Sequence, residues 1–390
     1  MNIISSVERY DAWLSKQLKG DIVRDDLASK HEKMAGDPFQ FLRATYWRWA
    51  ETIFKICPDL KDAPHVLAVG DLHVENYGSW RDAEGRLVWG VNDYDEAARM
   101  PYALDLVRLS TSAMLAKVRG VTPRAICTNV LKGYVDGLAD PKPYVLDRHS
   151  EWLRNIVVVS DADRKNFWNK FDPKRLNKSR KKSKVKPAIK MRPRYVKALD
   201  AARPDKALTF EFFARTAGTG SLGRPRYFGV GHWCSDLIIR EAKAIVRSGW
   251  TRAHRGSQAL RCEEIARGKY RCPDAFYHLD GRVLVRKLSP NDYKVEAQPT
   301  VAKGMDQSHK TVPTSVLVNP RMLHAMGRDL AAIHRGTPRR RQAIAHDLDA
   351  RPRDWLLKAA TAAARATKME WEEWRAFHDG QREKKTASTG

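Results

Sequence analysis

Two short polar clusters, each placed at the end of an apolar run, constrain this chain more than any other feature. The first is Gly70-Asp71-Leu72-His73-Val74-Glu75-Asn76, directly after His65-Val66-Leu67-Ala68-Val69, which reads as a short buried strand. The second is Val91-Asn92-Asp93-Tyr94-Asp95. It closes a predicted hairpin made of Tyr77 to Arg81, the turn Asp82-Ala83-Glu84-Gly85, and Leu87 to Val91. Asp93 follows Asn76 by 17 residues, so a hairpin brings the two clusters to the same end of one small sheet.

Aspartate and asparagine favour turns for local reasons, and each of these residues taken singly reads equally as a turn former or a strand terminator. Their joint spacing points to phosphoryl transfer. That chemistry needs a carboxylate to orient or deprotonate the attacking hydroxyl, and oxygen ligands to hold Mg²⁺ on the phosphates. Mg²⁺ keeps several waters, so one asparagine and one or two aspartates are sufficient. His73 reads as a hydrogen-bonding brace within its loop. Asp105, ahead of Leu106-Val107-Arg108-Leu109, reads as a helix cap or as a brace for the Asp71 loop.

About 150 residues later comes Gly218-Thr219-Gly220-Ser221-Leu222-Gly223. A G-x-G-x-x-G run suits a dinucleotide fold if it opens a helix, and a phosphate-covering loop if it joins two strands. Here Arg224-Pro225-Arg226-Tyr227-Phe228-Gly229-Val230 continues as extended chain, and Pro225 disfavours helix at Arg224. The strand–loop–strand reading is the better fit, with a plain hairpin turn as the alternative. Leu237-Ile238-Ile239-Arg240 and Val283-Leu284-Val285-Arg286 read as further strands.

Gly70-Asp71-Leu72-His73-x-x-Asn76 resembles the catalytic loop of aminoglycoside and choline kinases, and Val91 to Ala97 resembles their metal-binding strand end. Over most of the chain the resemblance is to a bacterial family, domain of unknown function 2252. It is carried by Met34 to Arg43, Gly70 to Gly78, Asn92 to Ala97, Asp105 to Ser110, Gly218 to Tyr227, Arg240 to Lys243, Val285 to Lys294 and Gly327 to His334. The resemblance implies a catalytic role for Asp71, metal ligation by Asn76 and Asp93, and a lesser metal candidate in Asp95. It implies nucleotide contacts from Gly218, Gly220, Ser221 and Gly223. A phosphate-contacting cation is implied on the third strand, where Arg240 stands at the usual lysine position and Lys243 is the alternative. Arg286 falls on the strand leading to the hinge beside the adenine. Val69 replaces the histidine that usually precedes Gly-Asp.

The expected fold is α+β, a two-lobed protein-kinase-like fold in circularly permuted order, since the catalytic loop here precedes the glycine loop. Residues 1–150 read as the catalytic part of a larger helical lobe and 151–205 as a basic insertion or linker. Residues 206–300 read as a smaller β-rich nucleotide lobe, and 301–390 as helices returning to the larger lobe. The expected activity is an ATP- and Mg-dependent phosphotransferase acting on a small-molecule or protein hydroxyl. The alternatives are a nucleotide-binding pseudokinase, motivated by Val69 and Arg240, and a nucleic-acid-binding protein. The last rests on residues 173–197, which hold 12 Lys or Arg and no acid, and on a net charge of +25.

Five cysteines without a Cys-x-x-Cys pair argue against a disulfide framework or a zinc site and suit a reducing cytoplasm. The N-terminus lacks the basic start and apolar run of a signal peptide, and no stretch of 18 apolar residues predicts a membrane span.

Overall fold

The computed structural model describes residues 1–182, 191–297 and 310–387. Its architecture is mixed α+β, with helices surrounding several small sheets. The chain opens with α1 (Ile3–Leu18), α2 (Arg24–Gly36), α3 (Pro38–Ala44) and α4 (Tyr46–Ile56). Asp37 caps α3, accepting from the backbone N–H groups of Phe39 and Gln40. The sequence pattern predicts one helix from 38 to 56, but it breaks at Thr45. The Thr45 hydroxyl donates back to the Phe41 carbonyl at 2.6 Å, and its φ of −122° leaves the helical region.

Strand β1 (His65–Ala68) pairs antiparallel with β4 (Ala98–Pro101). Between them lies the predicted hairpin, β2 (Tyr77–Arg81) and β3 (Leu87–Val91), with Tyr77 opposite Val91. Then follow α5 (Ala103–Leu115), α6 (Pro123–Ala139), β5 (Tyr144–Val145), α7 (Glu151–Val157), α8 (Asp161–Phe171), α9 (Pro173–Lys182) and α10 (Pro193–Ala201). The charge and prolines of the basic run 173–197 predict an exposed insertion. Both of its flanks are helical, and Tyr195, Ala198 and Leu199 of α10 are buried. Residues 183–190 of the run lie outside the described residues.

A second sheet is built from β6 (Glu211–Ala214), β7 (Arg226–Trp233), β8 (Asp236–Ala244), β9 (His278–Asp280) and β10 (Val283–Leu288). Its order is β6-β7-β8-β10-β9, antiparallel throughout. Helices α11 (Gly249–His254) and α12 (Cys262–Ala266) fall between β8 and β9 in the chain. From β10 the backbone passes through Ser289–Asp292 directly into β11 (Tyr293–Ala297). With β12 (Lys310–Val312), β11 completes a sheet ordered β12-β11-β2-β3-β5. The chain ends in α13 (Thr314–Leu317), α14 (Pro320–Arg335), α15 (Arg341–Ala350) and α16 (Trp355–Ala387).

The largest apolar cluster joins α4, α5, α6, α14 and α16 around β1, β3 and β4. Helices α6 and α14 meet backbone to backbone: a Cβ on Gly327 would fall 2.1 Å from the Val130 carbonyl oxygen, so only glycine permits this approach. A second cluster packs α1, α10 and Trp374 against Tyr227, Ala242, Ala244, Val283 and Val285, one face of the β6–β10 sheet. The period-2 alternation of strands then sends Glu241 and Lys243 to the opposite face, toward the β2–β3 hairpin.

Candidate functional site

Asp71 sits in the loop that leaves β1. That loop is held by its own backbone: Asp105, in the first turn of α5, accepts from the N–H of Val69 at 2.7 Å and of Gly70 at 3.0 Å. His334, at the end of α14, lies 3.1 Å from the same carboxylate, and the Tyr134 hydroxyl lies 2.8 Å from the other nitrogen of its ring. All three are fully buried. Asp105 is therefore a brace and not a cap. His73 also bonds within its loop, its Nδ1 accepting from the Glu75 N–H at 3.2 Å.

The Asp71 carboxylate receives a hydrogen bond from Arg108 at 2.5 Å. Arg108 has no exposed side-chain surface and lies over the rings of Tyr46 and Trp49. Burial raises the Asp71 pKa above its usual value, Arg108 pulls it back, and Asp93 adds to the rise. Asn76 donates through its amide nitrogen to the Asp71 carbonyl, which leaves its Oδ1 as an acceptor.

The end of β3 is fixed from behind. Asp329 of α14 accepts from the Val91 N–H at 2.9 Å and from Arg271 at 2.6 Å. Arg271 in turn donates to the Val91 carbonyl and the Tyr94 hydroxyl. These bonds set the direction in which Asn92 and Asp93 leave the strand.

The glycine loop connects β6 to β7 and covers this region. A Cβ on Gly220 would stand 3.2 Å from an Asp71 carboxylate oxygen and 3.1 Å from the Arg43 carbonyl, so a side chain there would crowd both. The loop is fastened to the N-terminal helices. Lys30 donates to the Gly220 carbonyl at 3.0 Å, Thr216 to Asp26 at 2.7 Å, and the Val23 N–H to the Gly223 carbonyl at 3.0 Å. Lys30 is 1% exposed, and its ammonium lies about 5 Å from each of the mutually stacked Tyr10 and Trp47 rings; burial, reinforced by Arg224, lowers its pKa to about 7. On the other side, Arg224 donates to Glu96 at 2.7 Å.

Of the residues expected at the site, Asp71, Asn76, Asp93, Asp95, Gly218, Gly220 and Ser221 all line one cavity of about 600 Å³. Lys243 joins them, its ammonium 2.6 Å from Asp95 and 3.7 Å from Asp93. Gly223 has φ +90° and packs toward Leu27 and Leu14, supporting the loop from outside that wall. Arg240 is not brought to the site. It lies on the other face of β8 from Lys243, bonds the Ala202 carbonyl at 3.2 Å and stacks on Phe276 at 4.2 Å. Arg286 opens instead onto an adjoining cleft of about 1080 Å³, which shares Asp93 and Gly218 with the first cavity.

As a metal site the arrangement is incomplete in protein ligands: among the described residues no three His, Cys, Asp or Glu side chains stand close enough to hold an ion. Asp95 faces Lys243 and, at 3.7 Å, Arg224. The Oδ1 of Asn76 and the carboxylate of Asp93, which Lys243 approaches to 3.7 Å, are hard oxygen donors. That set suits Mg²⁺ only where phosphate oxygens and waters complete the shell.

The spacing of motifs did not point to Arg108, Lys30, Asp329, Arg271, Arg215, Arg226 or Glu241. Arg108 had one available signal, its i+3 position relative to Asp105 on a predicted helix, which puts both on one face. Arg226, Glu241 and Asp329 lie within stretches that carry the family resemblance but had no role of their own there; Lys30, Arg215 and Arg271 come from other segments and carried no signal.

All five cysteines are free, with only Cys234 exposed. Among the described residues no helix is long and apolar enough to cross a membrane. Residues 23–192 match a family described as an uncharacterized protein conserved in bacteria, domain of unknown function 2252. No curated protein and no solved structure matches the chain.

Proposed function

We propose that this chain is a phosphotransferase of protein-kinase-like, circularly permuted organisation, transferring a phosphoryl group from a magnesium nucleotide to a hydroxyl. The observation that carries this reading is the meeting of Asp71, Asn76 and Asp93 with Lys243 beneath a glycine loop that stands about 150 residues away in sequence. Strand, glycine loop, strand, then a cation on the third strand is the order that covering and neutralising a polyphosphate requires.

In this reading Asp71 orients the attacking hydroxyl and accepts its proton. Burial raises its pKa in the direction of a general base, and the Arg108 hydrogen bond opposes that rise. Asn76 and Asp93 would hold Mg²⁺, which neutralises phosphate charge when bound. Lys243 is the phosphate-contacting cation, and in the structure described here its charge is matched by Asp95. Asp105 and His334 fix the loop so that Asp71 needs little reorganisation.

The test is a thermal-shift titration with ATP and Mg²⁺ on the wild type, Asp71→Ala and Asp93→Ala. Binding to the folded state raises the melting temperature by mass action. Wild type and Asp71→Ala are expected to shift alike, and Asp93→Ala to shift less in the presence of Mg²⁺. A wild-type protein with no shift at millimolar nucleotide would overturn the reading.

A further inference from the structure

The adjoining cleft of about 1080 Å³ shares Asp93 and Gly218 with the cavity under the glycine loop. A nucleotide whose phosphates lie under that loop therefore reaches the cleft with its base. The walls suit a flat ring: Phe167 and Phe171 of α8, Ala266 of α12, Leu288 of β10 and Trp80 of β2 line it. The three arginines of the cleft, Arg215, Arg226 and Arg286, all donate to the buried Glu241 of β8.

Hydrogen-bond donors are scarce along one border of the cleft. The connection from β10 to β11 runs Ser289-Pro290-Asn291-Asp292, with Ser289 and Asp292 in the wall. Pro290 has no N–H. The Asn291 N–H is bonded to the Ser289 hydroxyl at 3.1 Å, and the Asp292 N–H to the Ser289 carbonyl at 3.0 Å. From Pro290 to Asp292 no backbone donor is left for a ligand.

Acceptors are open instead. Both oxygens of the Asp292 carboxylate are buried, and neither has a hydrogen-bond partner of normal geometry among the described residues. Burial and Asp274 oppose its ionisation, Lys287 and Arg286 favour it through space, and the Arg81 backbone N–H acts least. Asp274 is itself engaged, accepting from the Phe276 N–H at 2.9 Å. Two more polar atoms of cleft residues lack partners: the Oδ1 of Asn92, and the hydroxyl of Tyr277, a residue only 8% exposed. Buried polar atoms without partners are rare in folded proteins, and several around one cleft mark where a ligand supplies the bonds.

The two purines differ in what they bring to such a wall. Guanine presents N1–H and the N2 amino group side by side, two donors that one carboxylate accepts together. Its O6 is an acceptor of the kind that the Tyr277 hydroxyl lacks. Adenine presents one donor beside the N1 acceptor. That acceptor needs a donor, which neither the Pro290–Asp292 backbone nor an ionised Asp292 has.

We propose that the cleft is the base subsite of the nucleotide and that Asp292 makes it prefer guanine to adenine. The resemblance drawn from the sequence implied adenine at this place. The proposal rests on the phosphotransferase reading for a nucleotide being bound at all, and adds which base it carries.

Mg-GTP and Mg-ATP are titrated calorimetrically into the full chain and into Asp292→Asn at pH 8, with folding checked by circular dichroism. Burial raises the Asp292 pKa to about 7, so its carboxylate is mostly ionised at that pH. Asparagine keeps the shape and offers one acceptor and one donor, the pattern that adenine matches. The expected result is GTP binding roughly tenfold tighter than ATP in the wild type, and loss of that preference in Asp292→Asn, chiefly through weaker GTP binding. Wild-type binding that is equal for the two nucleotides, or tighter for ATP, overturns the base assignment and leaves the phosphotransferase reading standing. A GTP preference that survives in Asp292→Asn overturns the role of Asp292. Binding of neither nucleotide removes the phosphotransferase reading and the base assignment with it.

Discussion

Arg108, a side chain with no exposed surface, hydrogen bonds the Asp71 carboxylate at 2.5 Å and donates to the Leu42 carbonyl at 2.8 Å. The pair ties α5 to both the Asp71 loop and the end of α3, so its removal affects stability as well as chemistry. Arg108→Met leaves a buried carboxylate without its partner and is expected to cost about 3–5 kcal/mol in denaturant unfolding. Asp71→Asn in the same background should return part of that loss. If Asp71 acts as a base, its pKa rises further in Arg108→Met, and the acidic limb of the rate profile moves to higher pH.

Lys243 and Arg240 stand on opposite faces of β8, and their substitutions should separate cleanly. Lys243→Met is expected to weaken Mg-ATP binding at least tenfold, through loss of the cation beside Asp93 and Asp95. Arg240→Met is expected to leave affinity unchanged. It should lower stability by about 1–2 kcal/mol through loss of the Phe276 stack and the Ala202 hydrogen bond. Calorimetric titration and urea unfolding of the two variants make the comparison.

The support of the Asp71 loop is testable at Asp105. Asp105→Ala leaves the Val69 and Gly70 N–H groups buried without acceptors, with a cost of about 2–4 kcal/mol for the two together. Hydrogen exchange at those two amides should accelerate more than at β2 or β3, since the defect is local to the loop.

Lys30 predicts a pH dependence. Its pKa is about 7 in the folded protein and about 10.5 when unfolded. Between those values the unfolded chain holds a proton that the folded chain has released, so stability rises with pH across that window. Below pH 7 both forms are charged and the folded state carries the full cost of the buried ammonium. Lys30→Met removes the cost, so the variant gains most over the wild type below pH 7 and progressively less toward pH 10. Lys170 acts in the same direction and is unchanged in the variant, so it drops out of the difference. Urea midpoints measured at several pH values from 6 to 9.5 follow the difference, and a constant offset would contradict it.

Asp292 has the opposite sign. Burial, with Asp274 adding to it, raises its pKa to about 7, against the pull of Lys287 and Arg286; the Arg81 backbone N–H contributes the least. The folded protein therefore holds a proton between about pH 4 and 7 that the unfolded chain has lost, and this contribution to stability falls as pH rises through 7. Asp292→Asn should be more stable than the wild type above pH 7, with the gap closing by pH 4, in the same unfolding series.

Local order in this chain follows local pattern. The β2–β3 hairpin, its turn, the α5 and α6 spans, the strands around the glycine loop and the Asp37 cap all follow from alternation, helical periodicity and turn residues. The break at Thr45 was missed because a single side-chain-to-backbone bond within an otherwise continuous apolar pattern leaves no periodic trace. The helices flanking the basic run were missed because charge hid the few apolar positions, Tyr195 and Leu199 among them, that bury α10.

The sequence by itself determined which residues have the chemistry: Asp71, Asn76 and Asp93 at strand ends, and a glycine run between two strands. Only the tertiary structure decided which cation faces them, because Arg240 and Lys243 differ by three residues on a strand and so point to opposite faces, a choice made by which face packs on α10. It alone brought Arg108, Lys30 and the three arginines of Glu241 into place. Arg226 meets Glu241 across the β7–β8 hairpin, but the others lie far along the chain from the groups they touch, and a contact between distant segments is set by packing, which no local pattern encodes.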